Sequence, residues 1–230
     1  MESLRISPDG AELDGLVAEV SGSAPRGQRV LVGIAGEPGA GNSSIADALT
    51  ARGGPAWAVV PMDGFHLADV ALRRQGLLDR KGAPETFDAW GYAALLARLR
   101  ARPEHPVYAP GFERDLEQPL AGAIAVPPSV DVVVTEGNYL LLDRPEWEAC
   151  REQLDAVWFV ETDPRLRVDR LVRRHVASGK SEEAARAWVD RVDEPNAALV
   201  RASRDRLSNA RTDRLLDLTD WSVEPPLIPG

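Results

Sequence analysis

The chain has 230 residues, of which 44% are apolar, and a formal net charge of −9. This length favours a single α/β domain with an added flap, and the apolar share is enough for a sizeable core. The acidic balance argues against a general binder of nucleic acids or anionic membranes, because both surfaces require excess positive charge.

The cysteine count and the absence of long apolar runs indicate the cellular compartment of the protein. A single cysteine, Cys150, cannot form an intramolecular disulfide, which agrees with a reducing compartment. No apolar run approaches the roughly 20 residues that span a bilayer. Residues 1–10 lack the apolar core of a secretory signal. We therefore expect a cytoplasmic protein that binds neither membranes nor nucleic acids.

Short apolar runs alternate along the chain with stretches whose apolar residues have helical spacing. The predicted strands cover residues 30–34, 56–61, 130–135, 156–160 and 215–218. The predicted helices cover residues 11–20, 43–51, 89–102 and 165–176. This alternation predicts one domain over residues 1–230, with a mostly parallel five-stranded sheet and helices on both of its faces.

Four of the predicted strands are followed at once by residues suited to binding a ligand. These residues are Gly36, Asp63, Glu136 and Asp163. The carboxyl ends of parallel strands lie along one edge of the sheet, and ligands bind there. The sequence therefore predicts a site at that edge.

The strongest motif follows the first of these strands. It matches the phosphate-binding pattern G-x-x-x-x-G-K-[ST] everywhere except at the lysine. Glycines let successive N–H groups face an anion, and the start of the following helix adds partial positive charge. The alternative is a plain glycine-rich turn. We predict that Ser43 also binds Mg²⁺, and that the whole stretch binds the phosphates of a nucleotide: Gly36, Glu37, Pro38, Gly39, Ala40, Gly41, Asn42, Ser43 and Ser44.

The lysine position of this motif is occupied by Asn42. A lysine would neutralise charge that develops on the transferred phosphate, whereas an amide only donates hydrogen bonds. Losing one preorganised electrostatic contact lowers a rate by about 10²–10³. The only lysines in the chain are Lys81 and Lys180, and neither replaces the missing one by its position in the sequence.

Further stretches carry a resemblance to a known family. They are GIAGEPGAGNSS, VVPMDGFHL, RKGAPETFD, VYAPGFERDLEQP, VVVTEGNYLLLD and RLVRRHVASGKSEEAARAWVDRVDEPNA. With them the chain resembles the uridine kinase, phosphoribulokinase and bacterial pantothenate kinase group of P-loop kinases. The resemblance implies a P-loop NTPase three-layer sandwich, ATP and Mg²⁺ as cofactors, and a small-molecule acceptor. Similar kinases often form homodimers, but no residue in the sequence demonstrates one.

The resemblance also implies roles for two acids. The acid of the DGF-like motif, Asp63, is the general base, because a carboxylate across the cleft from the phosphates can take the proton of an alcohol. Glu136 occupies the Walker B position and is predicted to hold Mg²⁺ or to polarise a group in the cleft. The alternatives are that Asp63 forms a turn before Gly64 and that Glu136 ends its strand.

The region of about residues 64–120 resembles the substrate side of these kinases. Phe112, Arg114 and Asp115 lie in a segment bounded by proline and glycine, which is predicted to be a loop over the acceptor pocket. There Arg114 can pair with an anionic group of a substrate. A solvated loop is the alternative. Thr86, Phe87 and Asp88 are expected to cap the next helix. The predicted substrate-binding residues are His66, Arg80, Lys81, Phe112, Arg114, Glu136, Asn138 and Tyr139.

The region of about residues 163–196 resembles the lid. Asp163 and the proline after it form a typical helix start. Arg167, Arg170 and Arg174 follow at i, i+3 and i+7 on one face, with Arg173 beside them. In the family, arginines of the lid close over the phosphates. We assign Arg170 and Arg174 as catalytic and Arg173 as nucleotide-binding; a solvated basic face is the alternative.

The sequence thus predicts an ATP- and Mg²⁺-dependent kinase that phosphorylates a small alcohol, such as a nucleoside, a sugar or a pantothenate-like acid. Asp63, Glu136 and the lid arginines favour this function. Asn42 favours the alternative of a nucleotide-binding pseudokinase with little catalysis. A third alternative is that Asn42 was introduced on purpose to trap a ligand.

Overall fold

The structure is a computed structural model that describes residues 2–23, 27–207 and 212–221. The strands in these ranges are β1 (Ser3–Arg5), β2 (Val30–Gly36), β3 (Trp57–Pro61), β4 (Val107–Glu113), β5 (Gln118–Val126), β6 (Val132–Glu136), β7 (Ala156–Glu161) and β8 (Arg214–Asp217). The α-helices are α1 (Ala11–Ser23), α2 (Asn42–Gly53), α3 (Asp69–Gln75), α4 (Ala89–Arg100), α5 (Pro145–Arg151), α6 (Pro164–Ala177), α7 (Glu182–Trp188) and α8 (Glu194–Ser203).

The central sheet has the strand order β1-β8-β7-β2-β6-β3, and every neighbouring pair is parallel. The predicted α/β class and parallel sheet are confirmed. The predicted count of five strands is wrong, since the described residues form six. The missed strand, β1, pairs with β8 at the edge of the sheet. Its three residues are too few to show the alternation by which a strand is detected.

Both faces of the sheet are covered, which makes the domain three layers thick. Along β2, Leu31 and Ala35 belong to the core that includes α4 and α5. Val32 and Ile34 belong to the opposite core, which includes α1 and α2. Because each side chain of β2 meets one core or the other, the strand has a continuous apolar sequence.

The chain leaves β2 and β6 in opposite directions. After β2 it passes through α2 to β3, which lies beyond β6; after β6 it passes through α5 to β7, on the other side of β2. Such a reversal opens a crevice at the carboxyl ends of the two strands, where ligands bind in α/β sheets. The glycine-rich loop and Glu136 both lie at this crevice.

An antiparallel hairpin of β4 and β5 stands apart from the central sheet. The prediction of a loop here is wrong for Phe112, which lies in β4, whereas Arg114 lies in the turn. The proline and the glycine lie within β4, where the register shifts between Ala109 and Gly111. The hairpin packs closely on the turn after β3, because a Cβ at Gly64 would lie 2.3 Å from Pro110 O.

The region predicted as a lid contains α6, α7, a π-helix (Val189–Asp193) and the start of α8. As predicted, Asp163 caps α6, and its Oδ1 accepts hydrogen bonds from the backbone N of Arg165 (2.8 Å) and of Leu166 (3.3 Å). Asp88 caps α4 in the same way through Gly91 N. Across the described parts of the chain, no helix has the length and apolar character needed to cross a membrane.

Candidate active site

The loop between β2 and α2 has the backbone shape of an anion-binding site. Gly39 and Gly41 have φ angles of 82° and 113°, in the left-handed region that glycine adopts readily. α2 begins at Asn42, and Gly41 before it offers no side chain to cap the helix. The N–H groups of the first turn are therefore left for an anion. This geometry fits the phosphate site predicted over residues 36–44.

Asn42 is turned toward its own loop and toward the end of β6. Its Nδ2 donates hydrogen bonds to Gly36 O at 3.1 Å and to Asn138 Oδ1 at 3.2 Å. The residue is only 8% exposed. The amide therefore links the two sides of the crevice but brings no positive charge into it.

Ser43 and Glu136 face each other across the crevice, and Asp63 lies near them. Ser43 Oγ donates a hydrogen bond to Glu136 Oε1 at 3.0 Å. Burial, and then the negative charge of Asp63, raise the pKa of the Glu136 carboxyl to about 8. Asp63 follows closely after Pro61, which pairs with Glu136 in the register of β3 and β6. The structure thus brings together three residues that the sequence predicts for metal binding and catalysis.

A further acid and an arginine lie beside this group. Desolvation raises the pKa of the Asp47 carboxyl, and the positive charge of Arg114 opposes that shift. Arg114 opposes the rise in the pKa of Glu136 as well. The hairpin turn therefore brings a cation to the acids of the crevice. Sequence reasoning missed Asp47, although it follows Ser43 by one helical turn and so shares its face of α2.

His66 lies between the hairpin and the loop of residues 80–88, which we call the substrate-side loop. Its ring centroid is 4.0 Å from that of Phe87 and 4.9 Å from that of Phe112. His66 Nδ1 lies 2.8 Å from Asp63 O. A carbonyl oxygen only accepts, so Nδ1 carries the proton. Burial lowers the pKa of His66, so the ring stays neutral and its Nε2 can accept a hydrogen bond.

The two basic residues of the substrate-side loop are already paired. Lys81 Nζ lies 2.8 Å from Asp69 Oδ1 and also donates to the backbone oxygen of Glu117. Arg80 Nη2 lies 2.6 Å from Glu85 Oε1. Substrate binding by Lys81 and Arg80 stays a prediction. Their present contacts balance their charges and tie the loop to the hairpin.

Tyr139 is the most deeply placed of the predicted substrate residues. It is fully buried, and its hydroxyl donates a hydrogen bond of 2.5 Å to Gly82 O. Its ring contacts Phe87 in a core beneath the substrate-side loop. By contrast, the preceding residue, Asn138, faces the crevice through its contact with Asn42. Substrate binding by both residues stays a prediction.

Two of the arginines on α6 contact the glycine-rich loop directly. Arg170 donates hydrogen bonds to Ala40 O at 3.3 Å and to Trp221 O at 2.8 Å. Arg167, one turn earlier, donates to Pro38 O at 3.2 Å. The first half of α6 therefore rests on the loop. The predicted catalytic role of Arg170 stays a prediction, and its position beside the loop is compatible with it.

The other two arginines with predicted roles, Arg173 and Arg174, lie farther along α6 and are exposed. Arg173 pairs with Asp169 on its own helix at 2.9 Å. Arg174 is exposed on the next position of the helix. Neither contacts the loop in the described structure, so their predicted roles require the lid to move.

Arg201 is a residue that sequence reasoning missed. From α8 it reaches Glu37 in the glycine-rich loop, with hydrogen bonds of 3.0 and 2.6 Å to the two carboxylate oxygens. The two residues are 164 positions apart in the chain. No local pattern connects residues so distant, and only the folding of α8 against the loop brings them together.

The donor set at the crevice fits Mg²⁺. Mg²⁺ prefers oxygen ligands and is commonly held by one or two protein oxygens together with phosphates and water. Ser43 Oγ and Glu136 Oε1, 3.0 Å apart, are of this kind. Among the described residues no group of three or more His, Cys, Asp or Glu side chains could enclose a metal alone. A magnesium ion here would therefore take its remaining ligands from a nucleotide and from water.

Known proteins resemble this chain over most of its length. A protein of Schizosaccharomyces pombe named as a candidate uridine kinase is 31% identical over 205 residues, which are 84% of this chain and 87% of that protein. The crystal structure of a candidate fructose transport system kinase from Silicibacter sp. TM1040 is 36% identical, covers 89% of this chain and 98% of its own, and has a TM-score of 0.78. No model of a protein family matches the chain.

A third protein shares the fold at lower identity. It is YFH7 of Saccharomyces cerevisiae, titled a candidate P-loop kinase with a circular permutation. Its structure is 18% identical, covers 90% of this chain and 97% of its own, and has a TM-score of 0.71. At this identity the likeness supports the fold alone.

The parallel sheet, the anion-binding loop after β2 and the acids at the ends of β3 and β6 define a P-loop kinase fold with its site at the switch point of the sheet. With these relatives, the chain belongs to the uridine kinase-related family of P-loop kinases, and the names of these two relatives support a kinase of small molecules.

Proposed function

We propose that this protein is an ATP- and Mg²⁺-dependent kinase that transfers the γ-phosphoryl group to a hydroxyl of a small, neutral, polyhydroxylated acceptor. The observation that carries the proposal is the meeting of Ser43, Glu136 and Asp63 at one crevice, directly beside the anion-binding loop. A loop that only shaped a turn would need none of these three side chains.

Each part of the crevice has a task in this reaction. The N–H groups of the loop and of α2 bind the phosphates. Ser43 and Glu136 would supply oxygen ligands for Mg²⁺, which would neutralise charge on the phosphates when bound. Asp63 orients the acceptor hydroxyl and takes its proton as transfer proceeds. Neutral His66 accepts a hydrogen bond through Nε2 and so helps to orient the same acceptor.

The neutrality of the acceptor is inferred from how the two basic residues of the substrate-side loop are paired, whereas the charge of Arg114 acts near the acids of the crevice. Lys81 and Arg80, which an acidic acceptor would use, are balanced by Asp69 and Glu85. A pantothenate-like acid therefore gains less support than a nucleoside or a sugar. The names of two similar proteins, a candidate uridine kinase and a candidate fructose transport system kinase, also favour a neutral acceptor.

Asn42 supports a second candidate, a nucleotide-binding protein with little catalysis. Neither lysine of the chain supplies the positive charge that Asn42 lacks. Lys81 is bonded to Asp69, and Lys180 Nζ lies 5.1 Å from the centroid of the Trp188 ring in the lid. The cation that remains near the acids is Arg114. We favour the kinase because Arg114 supplies positive charge at the crevice from the hairpin side.

The test is a transfer assay with ATP and Mg²⁺ against a panel of nucleosides, neutral sugars and pantothenate, followed by mass spectrometry of the products. A phosphorylated neutral acceptor would support the proposal. Binding of MgADP in calorimetry without any product would favour the second candidate. Failure to bind MgADP at millimolar concentration would reject both.

A further inference from the structure

The glycine-rich loop is held from its outer side by four charged side chains, which we call the Glu37 cluster: Glu37, Arg167, Glu194 and Arg201. Arg167 lies at its centre, with only 3% of its side chain exposed. Its Nε is 3.3 Å from Glu37 Oε2, and its Nη2 is bonded to Glu194. Arg201 binds the carboxylate of Glu37 through two hydrogen bonds. Two carboxylates and two guanidinium groups balance one another in the cluster.

Arg167 also contacts the backbone of the loop. Its Nη1 donates to Pro38 O at 3.2 Å. At the next loop residue, Gly39, a Cβ would lie 2.8 Å from Arg167 O and 2.8 Å from Leu171 Cγ. Three consecutive loop residues therefore touch α6 or its side chains. A buried guanidinium that loses its partners leaves an uncompensated charge, so these contacts depend on one another.

We propose that Glu37 and Arg167 are positioning residues that hold the loop in its anion-binding shape, an inference that rests on the nucleotide binding proposed above. Asn42 brings only hydrogen bonds to the inside of the loop. The Glu37 cluster fixes the loop from the outside instead. A loop whose N–H groups are oriented beforehand loses less conformational freedom when a phosphate binds. Nucleotide affinity therefore depends on side chains that act through the loop.

The sign of two mutational effects separates positioning from simple electrostatics. If only the charge near the phosphates mattered, removal of the negative charge of Glu37 would tighten nucleotide binding, and removal of the positive charge of Arg167 would weaken it. If the pair positions the loop, both changes weaken binding. The double variant then loses little more than either single variant, because each single change already breaks the contact between Glu37 and Arg167.

The experiment is calorimetric titration of the full chain with MgADP, for the unmodified protein and for Glu37→Gln, Arg167→Gln and the double variant. We expect each variant to bind MgADP about tenfold more weakly or worse, with losses that are far from additive. Arg167→Lys keeps the charge and should recover part of the affinity. Thermal denaturation of each variant shows whether it is folded. Arg186→Gln and Glu182→Gln, an exposed pair in α7, are the matched controls and should bind normally.

If Arg167→Gln does not fold, Arg201→Gln provides the test instead. The side chain of Arg201 is 52% exposed, and its replacement leaves Arg167 in place. It should also weaken MgADP binding. Tighter binding by Glu37→Gln would overturn the inference, as would variants whose melting temperature falls while their MgADP affinity stays unchanged. If the unmodified chain binds no MgADP, the inference and the proposed function fall together.

Discussion

Ser43 Oγ and Glu136 Oε1 lie 3.0 Å apart and join the helix after the glycine-rich loop to the end of the neighbouring strand. The two residues are 93 positions apart in the chain. Their meeting follows from the parallel register of β2 and β6, in which Ile34 pairs with Glu136. In the proposed mechanism this contact marks the metal side of the crevice, and Asp63 marks the acceptor side.

Asp63→Asn should abolish phosphoryl transfer and leave MgADP affinity nearly unchanged. The amide cannot accept the proton of an acceptor hydroxyl, whereas the loop and Ser43 still hold the nucleotide. Single-turnover kinetics and calorimetry measure the two effects separately. A variant that turns over normally but binds MgADP much more weakly would place Asp63 with the metal instead.

Asn42→Lys should raise kcat by about 10² or more, because the lysine adds charge where it develops in the transition state. KM for ATP should change less. Asn42 Oδ1 is buried and has no hydrogen-bond partner among the described residues. Replacing this oxygen therefore breaks no hydrogen bond. Steady-state kinetics of the unmodified chain and of Asn42→Lys measure kcat and KM for ATP in both forms. A lysine form that is no faster would remove the idea of an impaired kinase.

Arg114→Gln should lower kcat about tenfold or more in the unmodified chain and clearly less in the Asn42→Lys background. Both cations act on the same developing charge, so their effects are not additive. The measurement is a double-mutant cycle on kcat, with Arg98→Gln on α4 as an arginine control away from the crevice. Equal losses in both backgrounds would show that Arg114 does not stand in for the missing lysine.

Glu136 should make the metal-free protein less stable as pH rises from about 4.5 to about 8. The pKa of Glu136 is raised in the folded state from 4.5 to about 8, so in this range the folded state binds more protons than the unfolded one. His66, whose pKa is lowered, contributes the opposite slope below pH 6.5. The comparison of interest is therefore between the natural chain and Glu136→Gln.

Urea denaturation in the presence of EDTA, at pH values from 5 to 8, tests this expectation. The free energy of unfolding of Glu136→Gln, relative to that of the natural chain, should rise steadily with pH. A difference that does not change with pH would mean that Glu136 is ionised throughout the range.

The sequence by itself determined the class of this fold and the edge of the sheet at which the site lies. Its apolar runs predicted β2, β3, β6, β7 and β8, because strands covered on both faces must be continuously apolar. The glycines of the phosphate loop, its departure at Asn42 and the acids at 63 and 136 are local features. They were visible because one short segment creates each of them.

Only the tertiary structure decided which charged residues contact the glycine-rich loop and which are exposed to solvent. Arg167, Arg170 and Arg174 have the same helical spacing, yet the first two are bonded to the loop and the third is exposed. Likewise, Arg201 meets Glu37 from 164 residues away. Helical periodicity reveals which side chains share a face, but the partners of that face come from distant segments. Only the packing of α6 and α8 on the loop brings those partners within hydrogen-bonding distance.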